Sequence, residues 1–111
     1  EAARWLLDPA RRPEAIFCAN DILAIGCMEA AKHEYGLEVP RDLGLIGFDD
    51  ISLADWPSHR LTTVRQPMKA MIAATIELVE RLAKGEAVLP DVQRLPGRII
   101  ERNSTRSQHA T

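Results

Sequence analysis

At 111 residues, 46% of them hydrophobic and 27% charged, the chain has the make-up of one ordinary soluble globular domain or part of one. Its formal net charge of -2 speaks against a nucleic-acid surface on this segment, since such surfaces are usually basic. Its apolar runs fall far short of the roughly 20 residues a membrane span needs. Residues 1–7 read as the tail of a helix with Trp5, Leu6 and Leu7 at its packing end, stopped by Asp8-Pro9 because proline disfavours helix in the residue before it. Residues 15–19 form a short apolar run bounded by turn signals, as expected of a buried parallel strand. Asn20-Asp21 supplies a helix cap, and a helix follows to about Tyr35, with Ile22, Ile25, Gly26, Ala30 and His33 along one side and Leu23, Ala24 and Cys27 widening the apolar arc. Gly36 suits the left-handed position that ends it. Residues 43–48 are a second buried strand, so the order strand, helix, strand makes one βαβ unit with parallel strands.

A polar loop, residues 49–60, carries Trp56-Pro57, and residues 61–65 (Leu-Thr-Thr-Val-Arg) form a short strand rich in β-branched side chains. Gln66-Pro67 breaks it. Residues 68–84 are the clearest helix, with Met71, Ile72, Thr75, Leu78, Val79 and Leu82 at the helical period and Gly85 at its end. Residues 98–102 read as a last, edge-type strand, and residues 103–111 as a polar, disordered tail. Neither Cys18 nor Cys27 has a metal-ligand spacing, and two cysteines make no disulfide framework, which fits a reducing, cytoplasmic setting. No secretory signal is visible. The opening Glu1-Ala2-Ala3-Arg4 lacks an initiator Met and reads as a fragment or a processed product.

In open α/β sheets ligands bind beyond the carboxyl ends of the strands. Asn20 and Asp21 follow the first strand, Asp49 and Asp50 the second, and Gln66 the third. Carboxylates and amides converging there suit an uncharged polyhydroxyl or heterocyclic solute, since a carboxylate accepts from two hydroxyls and an amide both donates and accepts. Each has a plainer use: Asn20 or Asp21 as the helix cap, Asp50 as a brace for its own loop. An acidic metal or phosphoryl-transfer pocket would need Asp21 as a third carboxylate beside Asp49 and Asp50. There is no G-x-G-x-x-G and no P-loop. His33, His59 and His109 have no ligand spacing and read as solvated, and no Ser/His/Asp or Cys/His set is present. The chain is thus read as non-enzymatic, with no cofactor and no metal.

Several stretches in order resemble the LacI/GalR family of transcriptional regulators. Residues 13–21 (Pro-Glu-Ala-Ile-Phe-Cys-Ala-Asn-Asp) with Ala24-Ile25-Gly26 are similar to its Asn-Asp segment. Gly36-Leu37, then residues 39–43 and Gly47-Phe48-Asp49-Asp50, are similar to the next stretch, and residues 61–67 (Leu-Thr-Thr-Val-Arg-Gln-Pro) to the one after. Leu95-Pro96 and residues 98–105 (Arg-Ile-Ile-Glu-Arg-Asn-Ser-Thr) are similar to its C-terminal strand. The chain departs from the family near Met68, where members often carry an aromatic residue, and at Gly97, where an acidic residue is commoner.

The resemblance implies an α/β architecture: a parallel-sheet fragment of a type I periplasmic-binding-protein-like fold, covering the C-terminal part of an effector domain over residues 1–105, with 106–111 as a disordered tail. It implies a sugar or similar effector held between two lobes, with Asn20 and Asp49 as contacts and Gln66 and Met68 where the chain crosses between lobes. It implies a homodimer through Ile22, Ile25, Glu29 and Trp56, and DNA binding only through an N-terminal domain absent from this chain. It also places the helix at 68–84 in the lobe whose sheet is missing, so that its apolar stripe lacks cover and either self-associates or belongs against a longer chain. A periplasmic sugar-binding protein of a transporter shares the core and is the alternative; the Leu-Thr-Thr motif and the last stretch favour the regulator.

Overall fold

The computed structural model describes residues 1–86 and 92–107. They fall into two compact units: Glu1–Arg65 with Ile99–Thr111, and Gln66–Arg98.

In the first unit, helix α1 (Ala2–Leu7) leads to strand β1 (Ala15–Phe17), helix α2 (Asp21–His33), strand β2 (Gly44–Ile46), a 3-10 turn (Ser52–Asp55) and strand β3 (Thr63–Arg65). Strands β1 and β2 are parallel, with Ala15 opposite Gly44, Ile16 opposite Leu45 and Phe17 opposite Ile46. On its other edge β2 meets the third strand in parallel bridges, Ile46 with Thr62 and Asp49 with Arg65. Strand β4 (Arg98–Ile100) pairs with β3. The predicted βαβ unit is therefore present, and the parallel run puts the carboxyl ends of β1, β2 and β3 at one end of the sheet.

The core gathers Leu7, Ala24, Cys27, Met28, Ala31, Leu43, Leu45, Ala54 and Leu61. On α2 the buried positions are Ala24, Cys27, Met28 and Ala31, the i, i+3, i+4, i+7 stripe of a helix lying on a sheet. The expected stripe through Ile22 and Gly26 is instead the outer side, with Ile22 59% exposed. Small Ala and Cys side chains let the helix approach the sheet, which is why hydrophobicity alone misplaces the buried face. Strand β1 also differs from expectation: Phe17 is 64% exposed, and Ala15, two residues before it on the same face, is exposed as well. Gly36 takes φ +62 just beyond α2, as a left-handed helix end requires.

The tail needs a correction at residues 103–105. Ser104 is fully buried. Its hydroxyl donates to the Leu45 carbonyl at 2.6 Å and accepts from the Thr62 N–H at 2.8 Å, while the Leu45 N–H donates to the Ser104 carbonyl at 2.9 Å. Polar side chains here serve as ladder partners between β2 and the third strand, a use that composition does not reveal. Arg106 donates to the Pro40 and Arg41 carbonyls, and the rest of the expected tail, residues 108–111, lies outside the described residues, as does His109.

The second unit is dominated by helix α3 (Met68–Ala83), with Gly85 at φ +74 just past its end. Its predicted stripe is present, yet α3 buries none of its side chains among the described residues: Met71, Ile72, Ile76, Val79 and Leu82 are all exposed. Residues 92–97 form no regular element.

Candidate functional site

The carboxyl end of the parallel strands in the first unit is built around residues 20–21 and 47–51. Asn20 sits in extended backbone, and its Oδ1 accepts from the Leu23 N–H at 2.9 Å, capping α2. The helix cap is thus Asn20, and the cap uses only the amide oxygen. Asp21 begins the helix and is fully buried. Its Oδ1 accepts from the Thr63 hydroxyl at 2.5 Å and its Oδ2 from the Ile51 N–H at 2.9 Å. Its own N–H donates to the Phe48 carbonyl at 3.0 Å.

Gly47 makes this approach possible. A Cβ there would overlap Asp21 Oδ1 and stand 2.9 Å from Leu61 Cδ2 and 3.2 Å from Asp21 Cα, so any larger residue would have to displace a buried carboxylate. The chain then turns through two non-glycine residues with positive φ, Asp49 at 124° and Asp50 at 59°. The second lies in the left-handed basin that Asp tolerates. The first lies outside it, and such backbone costs on the order of 1–3 kcal/mol. Strain of this size persists because the flanks are tied down: the Asp49 N–H donates to the Val64 carbonyl at 2.9 Å, and Ile51 is held by Asp21.

The two adjacent carboxylates have different surroundings. Asp49 is exposed at the strand end. The Asp50 side chain is 8% exposed and receives Arg65 Nε on Oδ2 at 2.7 Å and Arg102 Nη2 on Oδ1 at 2.8 Å. Burial alone would raise its pKa, but the hydrogen bonds and charges of Arg102 and Arg65 outweigh it and hold the group below the usual carboxylate value. Arg102, whose side chain is likewise 8% exposed, also reaches Asp55 Oδ1 at 3.3 Å and the Leu61 carbonyl at 2.9 Å. The plainer reading of Asp50 as a brace is therefore correct, and the brace extends to two distant arginines.

This geometry leaves no acidic metal pocket. Asp21 and Asp50 are consumed by internal partners, and no group of three His, Cys, Asp or Glu suited to a metal occurs among the described residues. Gln66 directly follows β3 and is half-buried, while Met68 opens α3 and is exposed; both belong to the second unit. Of the residues expected at a homodimer face, Ile22, Trp56 and Glu29 are exposed, and Ile25 is half-buried against the core. Glu29 lies 3.3 Å from His33, and His59 is not simply solvated, since its Nδ1 meets the Leu53 carbonyl at 3.0 Å.

A groove of about 720 Å³ runs between α1, β1 and α2, lined by Ile16, Phe17, Cys18, Ile22, Leu23 and Cys27 among others, and reaches neither Asn20 nor Asp49. Cys18 and Cys27 both line it as buried free thiols, and each acts on the other, holding the Cys18 pKa up and that of Cys27 down. The residues that sequence reasoning left without a role are Thr63, Arg65, Arg102 and Ser104, and Asp21 has a buried bonding role that it did not anticipate. The one local signal was Gly47, since a glycine inside a strand pattern marks a close backbone approach.

Residues 1–105 match the sequence signature of the periplasmic binding protein-like domain. The chain is 36% identical over 107 residues to the HTH-type transcriptional repressor CytR of Escherichia coli K12, covering 96% of this chain and 31% of that protein. Among solved structures it is similar to a periplasmic binding protein/LacI transcriptional regulator of Alkaliphilus metalliredigens complexed with D-xylulofuranose, at TM-score 0.72, 36% identity, and 85% and 35% coverage of the two chains. It is also similar to the Lac repressor dimer bound to operator and the anti-inducer ONPF, at TM-score 0.83, 28% identity, and 96% and 36% coverage. The chain spans about a third of the length of the curated relatives it matches. Signature, sequence and backbone agree with the parallel strands described above: the chain belongs to the periplasmic binding protein-like domain family, and the relatives it matches there are LacI-type regulators.

Proposed function

We propose that this chain is the effector-sensing and dimerising part of a cytoplasmic, non-enzymatic LacI/GalR-type regulator, that its effector is an uncharged sugar or similar solute, and that DNA is read by a domain outside it. The observation that carries the reading is Asp49: an exposed carboxylate at the carboxyl end of β2, held in a costly backbone conformation beside a neighbour wholly occupied by arginines. A carboxylate so placed accepts from the hydroxyls of a neutral ligand. Asn20, Gln66 and Met68 are the further contacts in this reading, and Ile22, Ile25, Glu29 and Trp56 lie on the homodimer face. The sugar complex of the Alkaliphilus neighbour supports a sugar-like effector, and the Lac repressor dimer supports pairing. The repressors among its relatives favour a regulator over the periplasmic binding protein of a transporter. An effector acts by binding one arrangement of the protein better than another.

The test is calorimetric titration of the full-length protein with a panel of neutral sugars and nucleosides, with and without Asp49→Ala. Losing a charged hydrogen-bond partner weakens binding by roughly 10- to 100-fold. Unchanged affinity in the variant would overturn the site.

A further inference from the structure

We infer that Asp21 is the positioning residue for this site: it aims the Asp49 carboxylate by clamping both ends of the Asp49-Asp50 turn. The inference rests on the reading of Asp49 as a ligand contact. Asp21 holds the turn before and after the two residues with positive φ. Upstream, its N–H donates to the Phe48 carbonyl; downstream, its Oδ2 accepts from the Ile51 N–H. Its second oxygen is fixed by the Thr63 hydroxyl at 2.5 Å, so the carboxylate cannot rotate without breaking a bond to the third strand. Gly47 admits the carboxylate against β2 and permits nothing larger in its place. Asp21 also begins α2, directly after the Asn20 cap. One buried side chain therefore couples the start of α2, the strand end that carries Asp49, and β3. An unstrained turn would relax to φ below zero and swing the Asp49 side chain to a different bearing. The buried carboxylate supplies the two accepted bonds that oppose this.

The test uses the full-length protein and compares Asp21→Ala, Asp21→Asn and Asp49→Ala, singly and combined. Amide hydrogen exchange is read over residues 48–52, and affinity is titrated with cellobiose and, separately, with D-xylulose. Asp21→Ala should speed exchange at 48–52 by tenfold or more while exchange at 24–31 of α2 stays slow. It should weaken binding of whichever sugar binds by about tenfold, and Asn, which still accepts from Ile51, should restore most of both. In the Asp49→Ala background, Asp21→Ala should add nothing further, because a residue acting through Asp49 has nothing left to aim. Exchange at wild-type rates, or an equal loss of affinity in both backgrounds, overturns the inference. Sugar binding indifferent to Asp49→Ala, or absent in the wild type, instead overturns the functional reading, and the exchange result then decides the clamp by itself. Should Asp21→Ala fail to fold, Thr63→Val loosens the same carboxylate from its other side and is expected to give about a threefold effect on the same readouts.

Discussion

Asp50 carries two guanidinium groups on one carboxylate, at 2.7 and 2.8 Å, and its partners are 15 and 52 residues away in the chain. Its folded pKa lies below the unfolded value of about 3.9. Its contribution to stability is therefore fully present above about pH 3.9 and is lost as the pH falls through the folded value. Asp50→Asn should lower stability at pH 7 by about 3 kcal/mol, the low end for breaking a buried pair, because Arg102 keeps Asp55 and the Leu61 carbonyl. Urea melts should show the gap between wild type and variant narrowing steadily below about pH 3.9; a gap independent of pH would show that the bridge is not the source. The sequence revealed that Asp50 ends a strand and braces a loop. It did not reveal the arginines, since pairing across 52 residues depends on the register of β3 and β4, which no local pattern encodes. The place of Asp49 was legible for the opposite reason, because it depends only on where β2 stops.

The two long helices have similar apolar content and opposite fates. Helix α2 packs Ala24, Cys27, Met28 and Ala31 into the core, whereas α3 keeps six large apolar residues exposed. The existence, order and approximate ends of both helices were readable from period, cap and glycine stop. Which side of α2 would be buried was not, since Ala and Cys are chosen there for size rather than for hydrophobicity. At the head of α2 the Asn20 cap satisfies one of the helix's open N–H groups. Asn20→Ala should cost about 1 kcal/mol and Asn20→Ser a few tenths, by thermal melting. Equal stability of all three proteins would mean that the cap bond contributes nothing.

In the molecule as a whole, one unit contains a core and the other presents a helix with no buried face among the described residues. Each large aliphatic side chain left in water forgoes about 1.5–3 kcal/mol, so the 111-residue segment expressed alone should associate through Ile72, Val79 and their neighbours. Ile72→Glu with Val79→Glu should weaken that association about a hundredfold in sedimentation experiments; a wild-type segment that sediments as a rigid monomer would refute it. The resemblance carried by the ordered motifs extended to the family itself, whereas the exposed stripe of α3 was legible only as a stripe, since a helical period shows which residues share a face and not what that face meets. The burial of Ser104 between Leu45 and Thr62 has a consequence in time. The ribosome delivers β1, α2 and β2 well before the residue that spans β2 and its neighbour, across a separation of 59 positions from Leu45. Contacts closed over such distances are slow to form, so the nascent parallel sheet stays ajar, with Leu45 and Thr62 hydrated, until synthesis reaches the serine that latches it.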